Sequence, residues 1–343
     1  MAGTAGLRGQ WPTPGLPLRN WAGANAAPAK APQRANVDPQ AALTRLNEAD
    51  AKAPFAAGAR GPVVARAQVL LDRAWFSPGE IDGRFSQNMK RSLMAYQRAN
   101  GLPKSGRVDV ASWQALRSDS APAFAMYTVT AADVQGPFVK IPADMAQRAT
   151  LPVLGYESLR EALGERFHMS PALLAELNPG RSLARLREGD TLIVANPPER
   201  NQGAPAGARS IEIDKSERML FVLGSEAKVL AAFPISIGGP RDPLPLGRMK
   251  ITNEVANPSF TYDPVLIKSS RPGAVKTEIR PGPNNPVGNM WLGLSKTHWG
   301  IHGTPEPSRL GRAETNGCIH LTNWDAHRLS TLAKAGFAVE VRE

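Results

Sequence analysis

Apolar positions change their spacing twice along this chain. From about Ala57 to Ser118 they recur at helical intervals. Val64, Ala67 and Leu71 fall on one face, Met89, Leu93 and Tyr96 form a second stripe, and Trp113 with Leu116 mark a short third helix. Ser86 stands where an N-cap belongs. Gly79-Glu80-Ile81-Asp82 is echoed 27 positions later by Gly106-Arg107-Val108-Asp109. Each echo precedes a helix, which predicts two similar turn-helix units in a small helical bundle.

The next stretch mixes the two periods. Tyr127 to Thr130 reads as a strand, Ser158 to Glu165 and Ser170 to Leu177 as helices, and Thr191 to Val194 as a returning strand. Ser170-Pro171 is a helix start and Asn178-Pro179-Gly180 a stop. Asn196-Pro197-Pro198 through Gly207 has linker composition.

From Ala208 onward strand-like runs dominate. Ser210 to Asp214 alternates, and Met219 to Leu223 and Val229 to Phe233 flank the turn Gly224-Ser225-Glu226 as a hairpin. Prolines 243, 245, 258 and 264 break the strands that follow, and Asp263 to Gly288 is a long polar loop. Thr322-Asn323-Trp324-Asp325 starts a helix with a capping box, Gly336 closes it, and Phe337 to Val341 returns as a strand. The pattern predicts a multidomain α+β protein. Its parts are a flexible Ala/Pro-rich tail (1–56), a helical bundle (57–120), a β-α-α-β unit (125–197), a linker (198–207) and a mainly β, sandwich- or barrel-like domain (208–343).

A length of 343 residues suits two or three domains, and 42% hydrophobic content supports real cores. Glycine and proline, 31 each, imply many turns and linkers. The formal charge of +11 favours a polyanionic partner: nucleic acid, an anionic membrane surface or an acidic wall polymer. Its basic residues are scattered, with no run of five or six Lys/Arg and no zinc-finger or basic-zipper spacing, so nucleic acid is set aside. No apolar stretch is long enough to span a membrane, and no basic-then-apolar leader opens the chain.

Cys318 is the only cysteine, in Thr315-Asn316-Gly317-Cys318-Ile319-His320. Alone it forms no intramolecular disulfide, and it is a poor start for a metal cage. It suits a nucleophile if a base and oxyanion donors lie beside it. Gly300-Ile301-His302-Gly303-Thr304 supplies the base, His302. The Gly303 carbonyl is placed to fix the imidazole tautomer, and the Gly317 and Cys318 amides to receive a developing oxyanion.

These residues resemble the L,D-transpeptidase catalytic domain of the YkuD type, whose motif is His, a gap, then Ser/Thr-His-Gly-Cys-x-Arg/Asn. Here His302 is followed by 12 residues and then Thr315, Asn316, Gly317, Cys318, Ile319 and His320. Pro245-Leu246-Gly247 and Pro281 to Gly288 before Trp291 also look like the family. Asn316 replaces the usual His and His320 the usual Arg or Asn, and His320 is expected to titrate near neutrality. Ile81-Asp82-Gly83, Tyr96-Gln97 and Gly101-Leu102 resemble the three-helix peptidoglycan-binding domain. The β-α-α-β unit, with Leu177-Asn178-Pro179 after its second helix, looks like a LysM module. It departs from that pattern in about 25 extra residues after Thr130, and so reads as a glycan binder or a spacer.

The resemblance implies a cofactor-free enzyme acting on peptidoglycan tetrapeptide stems through a thioester. The products would be 3→3 cross-links or a protein anchored to the wall, and hydrolysis would give a carboxypeptidase. It implies Cys318 as nucleophile, His302 as base and then acid, Gly303 and Gly317 in the catalytic set, and Thr315, Asn316 and His320 at the substrate. It also implies a periplasmic, wall-associated location. A catalytically inactive wall-binding protein, and a zinc-dependent wall hydrolase using His298, His302, His320 and Cys318, remain open as alternatives.

The other candidates carry weaker chemistry. His298 and His327 read as structural. Ser225-Glu226-Ala227-Lys228 matches S-x-x-K, but it lies at a hairpin tip with no K-T-G after it. Trp291 and Trp299 suit a core or a cleft wall. Tyr262, Lys268 and Arg280, in or near the long loop, are candidate substrate contacts.

Overall fold

The computed structural model describes residues 38–52, 54–198, 202–267 and 270–343. Most of the expected tail (1–37 and 53), linker residues 199–201 and Lys268 lie outside the described residues.

Helix α1 (Pro39–Asn47) forms where a tail was expected. The Asp38 side chain accepts the Gln40 N–H at 3.0 Å, and a proline occupies the first turn. The helix is held by Asn47, which exchanges two hydrogen bonds with the Phe124 backbone at 2.9 and 2.8 Å. Its Ala-rich face gave little periodicity to read. Next come α2 (Pro62–Arg73), α3 (Gln87–Ala99) and α4 (Val110–Leu116). Ser86 caps α3 and Asp109 caps α4, each accepting the N–H three residues on. All eight residues of the expected helical stripes are buried.

Strand β1 (Phe124–Thr128) pairs antiparallel with β2 (Thr191–Ala195). Strand β1 ends at Thr128 because Thr130 turns away as the capping-box start of α5 (Ala131–Val134). Helices α6 (Met145–Ala149), α7 (Leu159–Arg166) and α8 (Pro171–Leu177) complete this unit, with Ser158 and Ser170 as N-caps.

The remaining strands are β3 (Ser210–Asp214), β4 (Met219–Leu223), β5 (Val229–Pro234), β6 (Gly247–Ala256), β7 (Phe260–Tyr262), β8 (Thr277–Ile279), β9 (Met290–Leu294), β10 (Gly300–His302), β11 (Ile319–His320) and β12 (Ala338–Arg342). Helix α9 (Asn323–Leu332) precedes β12. Thr322 caps it as expected, but it ends at Leu332, and Gly336 lies in the turn beyond. Eight strands form one sheet in the order β11-β10-β9-β6-β12-β3-β4-β5. Beyond β5, Ser236 bridges His320 with hydrogen bonds of 3.1 and 2.8 Å. That bridge brings the two edges of the sheet together and curls it toward a barrel.

Two apolar layers cover the sheet. Leu220 and Val222 face an inner core with Ile211, Phe233, Leu292 and Leu329. Met219, Phe221 and Leu223, on the opposite face of β4, share a cluster with the α2, α3 and α4 stripes. A strand buried on both sides needs a continuous apolar run, which β4 has. The helical bundle is thus fused to the sheet. Trp75 and Ser77 extend the fusion by exchanging backbone hydrogen bonds with Ala232 at the open edge of β5.

The residues added after Thr130 dock on the β7–β8 hairpin. Leu154, Tyr262 and Ile279 form a small core there, with Met145 and Phe260 packed against it. The Leu154 N–H donates to the Pro281 carbonyl, and the Asn284 N–H to the Leu154 carbonyl, both at 2.9 Å. Tyr262 is therefore a core residue of this contact. Arg280 is exposed, and its carbonyl holds the Asn285 amide at 2.8 Å.

The three units meet at buried charges. Asp72 of α2 accepts from Arg328 of α9 at 2.8 Å and pairs with the His168 imidazole at 2.9 Å. Arg328 also lies over the Trp75 ring at 4.2 Å, and Ser77 donates to Asp325 at 2.7 Å. Burial opposes the charge on Asp72, yet Arg328 and His168 hold its carboxyl below the usual range. Burial, with Asp72 nearby, pushes Asp325 up. Asp72→Ala leaves buried Arg328 only the more distant Asp325 carboxylate, at 3.9 Å, and is expected to cost about 3–5 kcal/mol in urea unfolding. A loss below about 1 kcal/mol would show that the pair does not hold the units together.

Candidate active site

Strands β10 and β11 run parallel, with Ile301 opposite Ile319 and His302 opposite His320. Paired side chains in such a register share a face, and so do residues two apart in a strand. Cys318 lies in the bend that leads into β11, two residues before His320. The His302 and His320 rings sit 4.3 Å apart between centroids, tilted by 50°. Trp291 of β9 stacks on the other side of His302 at 5.4 Å and 17°.

His302 is 2% exposed, and its Nδ1 lies 2.7 Å from the Gly303 carbonyl. A carbonyl only accepts, so Nδ1 carries the proton and Nε2 presents a lone pair. Burial pushes the imidazole down to about 4, against the opposing effect of the Gly303 hydrogen bond. It stays neutral at physiological pH. Cys318 is half-buried, and its S–H points at the His298 carbonyl at 3.6 Å. Burial pushes the thiol up, while the amides of Gly300 and Cys318 act in the opposite direction. The resting site thus holds a thiol and an imidazole, both uncharged.

Gly317 has φ of 119°, and a Cβ there would meet the Trp299 ring at 3.3 Å. Its N–H goes to Thr315 Oγ1 at 3.2 Å, and the Thr315 hydroxyl donates to the Cys318 carbonyl at 2.7 Å. Thr315 therefore closes the turn before the cysteine. The amides that face the sulfur are those of Cys318 and Gly300. Gly300 was missed from sequence; the signal was its place two residues before His302 on β10. Asn316 is exposed at the turn.

His320 does not titrate near neutrality as expected. Burial and the nearby His302 lower it well below the ordinary imidazole value. It lines a cavity of about 670 Å³ together with Ser236, Thr304 and Glu306 of the β domain and Glu161 and Glu165 of α7. His298 is exposed, and its backbone rather than its ring approaches the sulfur. His327 is half-buried on α9. Ser225 to Lys228 is an exposed turn between β4 and β5. Among the described residues no three of His, Cys, Asp or Glu are grouped to hold a metal ion.

Comparison with known proteins places this geometry. Residues 208–341 match the family model described as the L,D-transpeptidase catalytic domain, YkuD, and residues 60–116 that of a peptidoglycan binding domain. A protein of Bacillus licheniformis named as the L,D-transpeptidase YkuD is 25% identical over 181 residues, covering 53% of this chain and 92% of that relative. A Fuscovulum blasticum protein, named as an L,D-transpeptidase in the ATP synthase subunits region, is 31% identical over 135 residues, covering 39% of this chain and 70% of that relative. Among solved structures, the L,D-transpeptidase (residues 123–326) from Xylanimonas cellulosilytica aligns at 14% identity with a TM-score of 0.37, covering 86% of this chain and 100% of that chain.

The neutrality of His302 is testable through stability. Its folded value of about 4 lies below the ordinary 6.5, so the unfolded chain takes up this proton first as pH falls. The stability it contributes is complete above 6.5 and is lost as pH falls toward about 4, by up to roughly 3 kcal/mol. Urea unfolding between pH 7 and 4 should show a steeper decline for the native chain than for His302→Gln. Parallel declines would contradict a neutral buried imidazole.

Proposed function

Since the chain belongs to the YkuD-type L,D-transpeptidase family, we propose that it uses Cys318 as nucleophile and His302 as base to remodel peptidoglycan stem peptides through a thioester. The enzyme class and a wall-associated role follow from the two matched domains. One observation carries the finer reading. The Gly303 carbonyl fixes the proton on His302 Nδ1, which leaves the Nε2 lone pair free to act as a base on β10, the strand paired with the β11 that Cys318 leads into.

In this reading the stem's acyl carbon approaches Sγ as the thiol proton passes to Nε2. The S–C bond forms, the C–N bond to the terminal residue breaks, and His302 returns the proton to the leaving amine. A second amine then attacks the thioester, gives its proton to His302 and releases the sulfur. An amine on another stem yields a 3→3 cross-link, an amine on a protein anchors it to the wall, and water yields a carboxypeptidase product. Because both resting groups are neutral, proton transfer accompanies attack. The Cys318 and Gly300 amides, which face the sulfur, would bind the developing oxyanion, and loss of one such donor typically costs about 10²–10³ in rate. Thr315 would hold the turn, and His320 would pack beside the base. The helical bundle would hold the enzyme on the wall, and we place the protein in the periplasm.

Mass spectrometry with a carbapenem and with a disaccharide-tetrapeptide tests the assignment. The native chain should form a covalent adduct, Cys318→Ala none while keeping its circular dichroism spectrum, and His302→Gln one about 10²–10⁴ times more slowly. Persistent labelling of Cys318→Ala would remove the cysteine from the mechanism. A folded native chain that forms no adduct and still pulls down with sacculi would point to a non-catalytic wall-binding protein.

A further inference from the structure

We propose that Glu165, on α7 of the middle unit, is a positioning residue for the His302 imidazole, acting through Asn323 and Gly303. The inference rests on His302 as the base. Glu165 crosses from the middle unit to the N-terminal end of α9. Its carboxylate accepts from Asn323 Nδ2 at 2.9 Å on one oxygen and from the Tyr156 hydroxyl at 3.0 Å on the other. Asn289 Nδ2 approaches that second oxygen at 3.5 Å.

Asn323 is fully buried, and its amide is oriented from both ends. Nδ2 also donates to the Pro283 carbonyl at 3.1 Å, and Oδ1 accepts the Asn289 N–H at 3.2 Å. The same Oδ1 presses against the backbone of two glycines: a Cβ on either Gly288 or Gly303 would lie 2.2 Å from it. Gly303 is otherwise held by its N–H, which donates to the Met290 carbonyl at 3.1 Å, and by its carbonyl, which takes the His302 Nδ1 proton. Asn323 is therefore a wedge behind the residue that sets the tautomer and tilt of the base. Glu165 accepts one of the two hydrogen bonds from that wedge's Nδ2.

Without the carboxylate, Asn323 loses an acceptor in a buried site, where an unsatisfied donor is costly, and it rotates to find another. Any such rotation moves Oδ1 off Gly303. Displacements of about 1 Å at this range are known to cost about 10²-fold in rate. A carboxylate that merely glued two units together would affect unfolding and leave the imidazole unchanged. The middle unit is in this reading part of the catalytic apparatus, with no need for it to bind glycan.

The test uses the full chain with Glu165→Leu, Glu165→Gln and Asn323→Asp. Glutamine keeps an oxygen for Asn323 Nδ2. Aspartate keeps the shape of Asn323 but turns its donor toward Glu165 into an acceptor. Two readouts are taken: the maximal rate and half-saturating concentration for carbapenem acylation of Cys318, and the His302 Nδ1–H resonance by NMR. Glu165→Leu and Asn323→Asp should lower the maximal rate about tenfold, leave half-saturation within about twofold, and shift or broaden the resonance. Glu165→Gln should recover to within about threefold. An unchanged resonance in folded Glu165→Leu, or in folded Asn323→Asp should the leucine variant not fold, overturns the proposal. So does a glutamine variant as impaired as leucine at equal folded fraction. If the native chain is never acylated, the nucleophile assignment fails, while the resonance still decides whether Glu165 positions the ring.

Discussion

The architecture depends on one buried ion pair. Asp72 and Arg328 lie on different units, both removed from water, at a hydrogen-bond distance of 2.8 Å. Taking either charge out of water alone is prohibitive, so each requires the other in place. His168 from the middle unit completes the carboxylate's partners. Trp75 covers the guanidinium, and Trp324 stacks on His168 at 4.9 Å. Three segments far apart in sequence thus satisfy one another's buried groups. Arg328 and Trp324 both belong to α9, whose first residue, Asn323, backs Gly303. The orientation of the His302 ring, the proposed base, is therefore connected, through a single helix, to the contact that joins the units.

Burial acts in opposite chemical directions on the two reacting groups and leaves both neutral. The thiol goes up, the imidazole goes down to about 4, and each loses charge to the same apolar surroundings. The two amides facing Sγ act against this for the sulfur, and the Gly303 carbonyl does so for the imidazole. These dipoles are fixed by the strand pairing before any substrate arrives. In the proposed mechanism they strengthen as charge develops during attack, which is when stabilisation accelerates a reaction.

Much of this was legible in the sequence where local rules decide. The N-caps at Ser86, Ser170 and Thr322, the three helical stripes and the Gly303 carbonyl as orienter all follow from residue type and spacing. What was not legible depends on partners distant in the chain. Met219 to Leu223 is apolar at every position, a pattern that requires cover on both faces, but nothing local says that the helical bundle provides it. The residues after Thr130 looked like a departure from pattern because their apolar positions, Met145 and Leu154, face Tyr262 and Ile279 of another unit. Helix α1 was missed because an alanine-rich face has no stripe to detect. Gly300 was missed because an amide donor leaves no trace in side-chain chemistry; only the folded chain brings it to the sulfur.

The replacements at 316 and 320 are consistent with this physics. Asn316 is exposed, and the turn is closed by Thr315 and Gly317 on either side of it. His320 lies at ring-contact distance from His302, which the proposed mechanism requires to take up a proton, and it stays neutral. A permanent positive charge held at about 4 Å would oppose that protonation by about 4 kcal/mol at an effective dielectric of about 20. A neutral ring exerts no such opposition, and it fills the space beside His302 so that water does not solvate the imidazole. The cavity that His320 lines carries Arg148, Arg160 and Arg309 among its glutamates. The position next to His302 is thus left to packing, by a ring that carries no charge to oppose protonation of the proposed base.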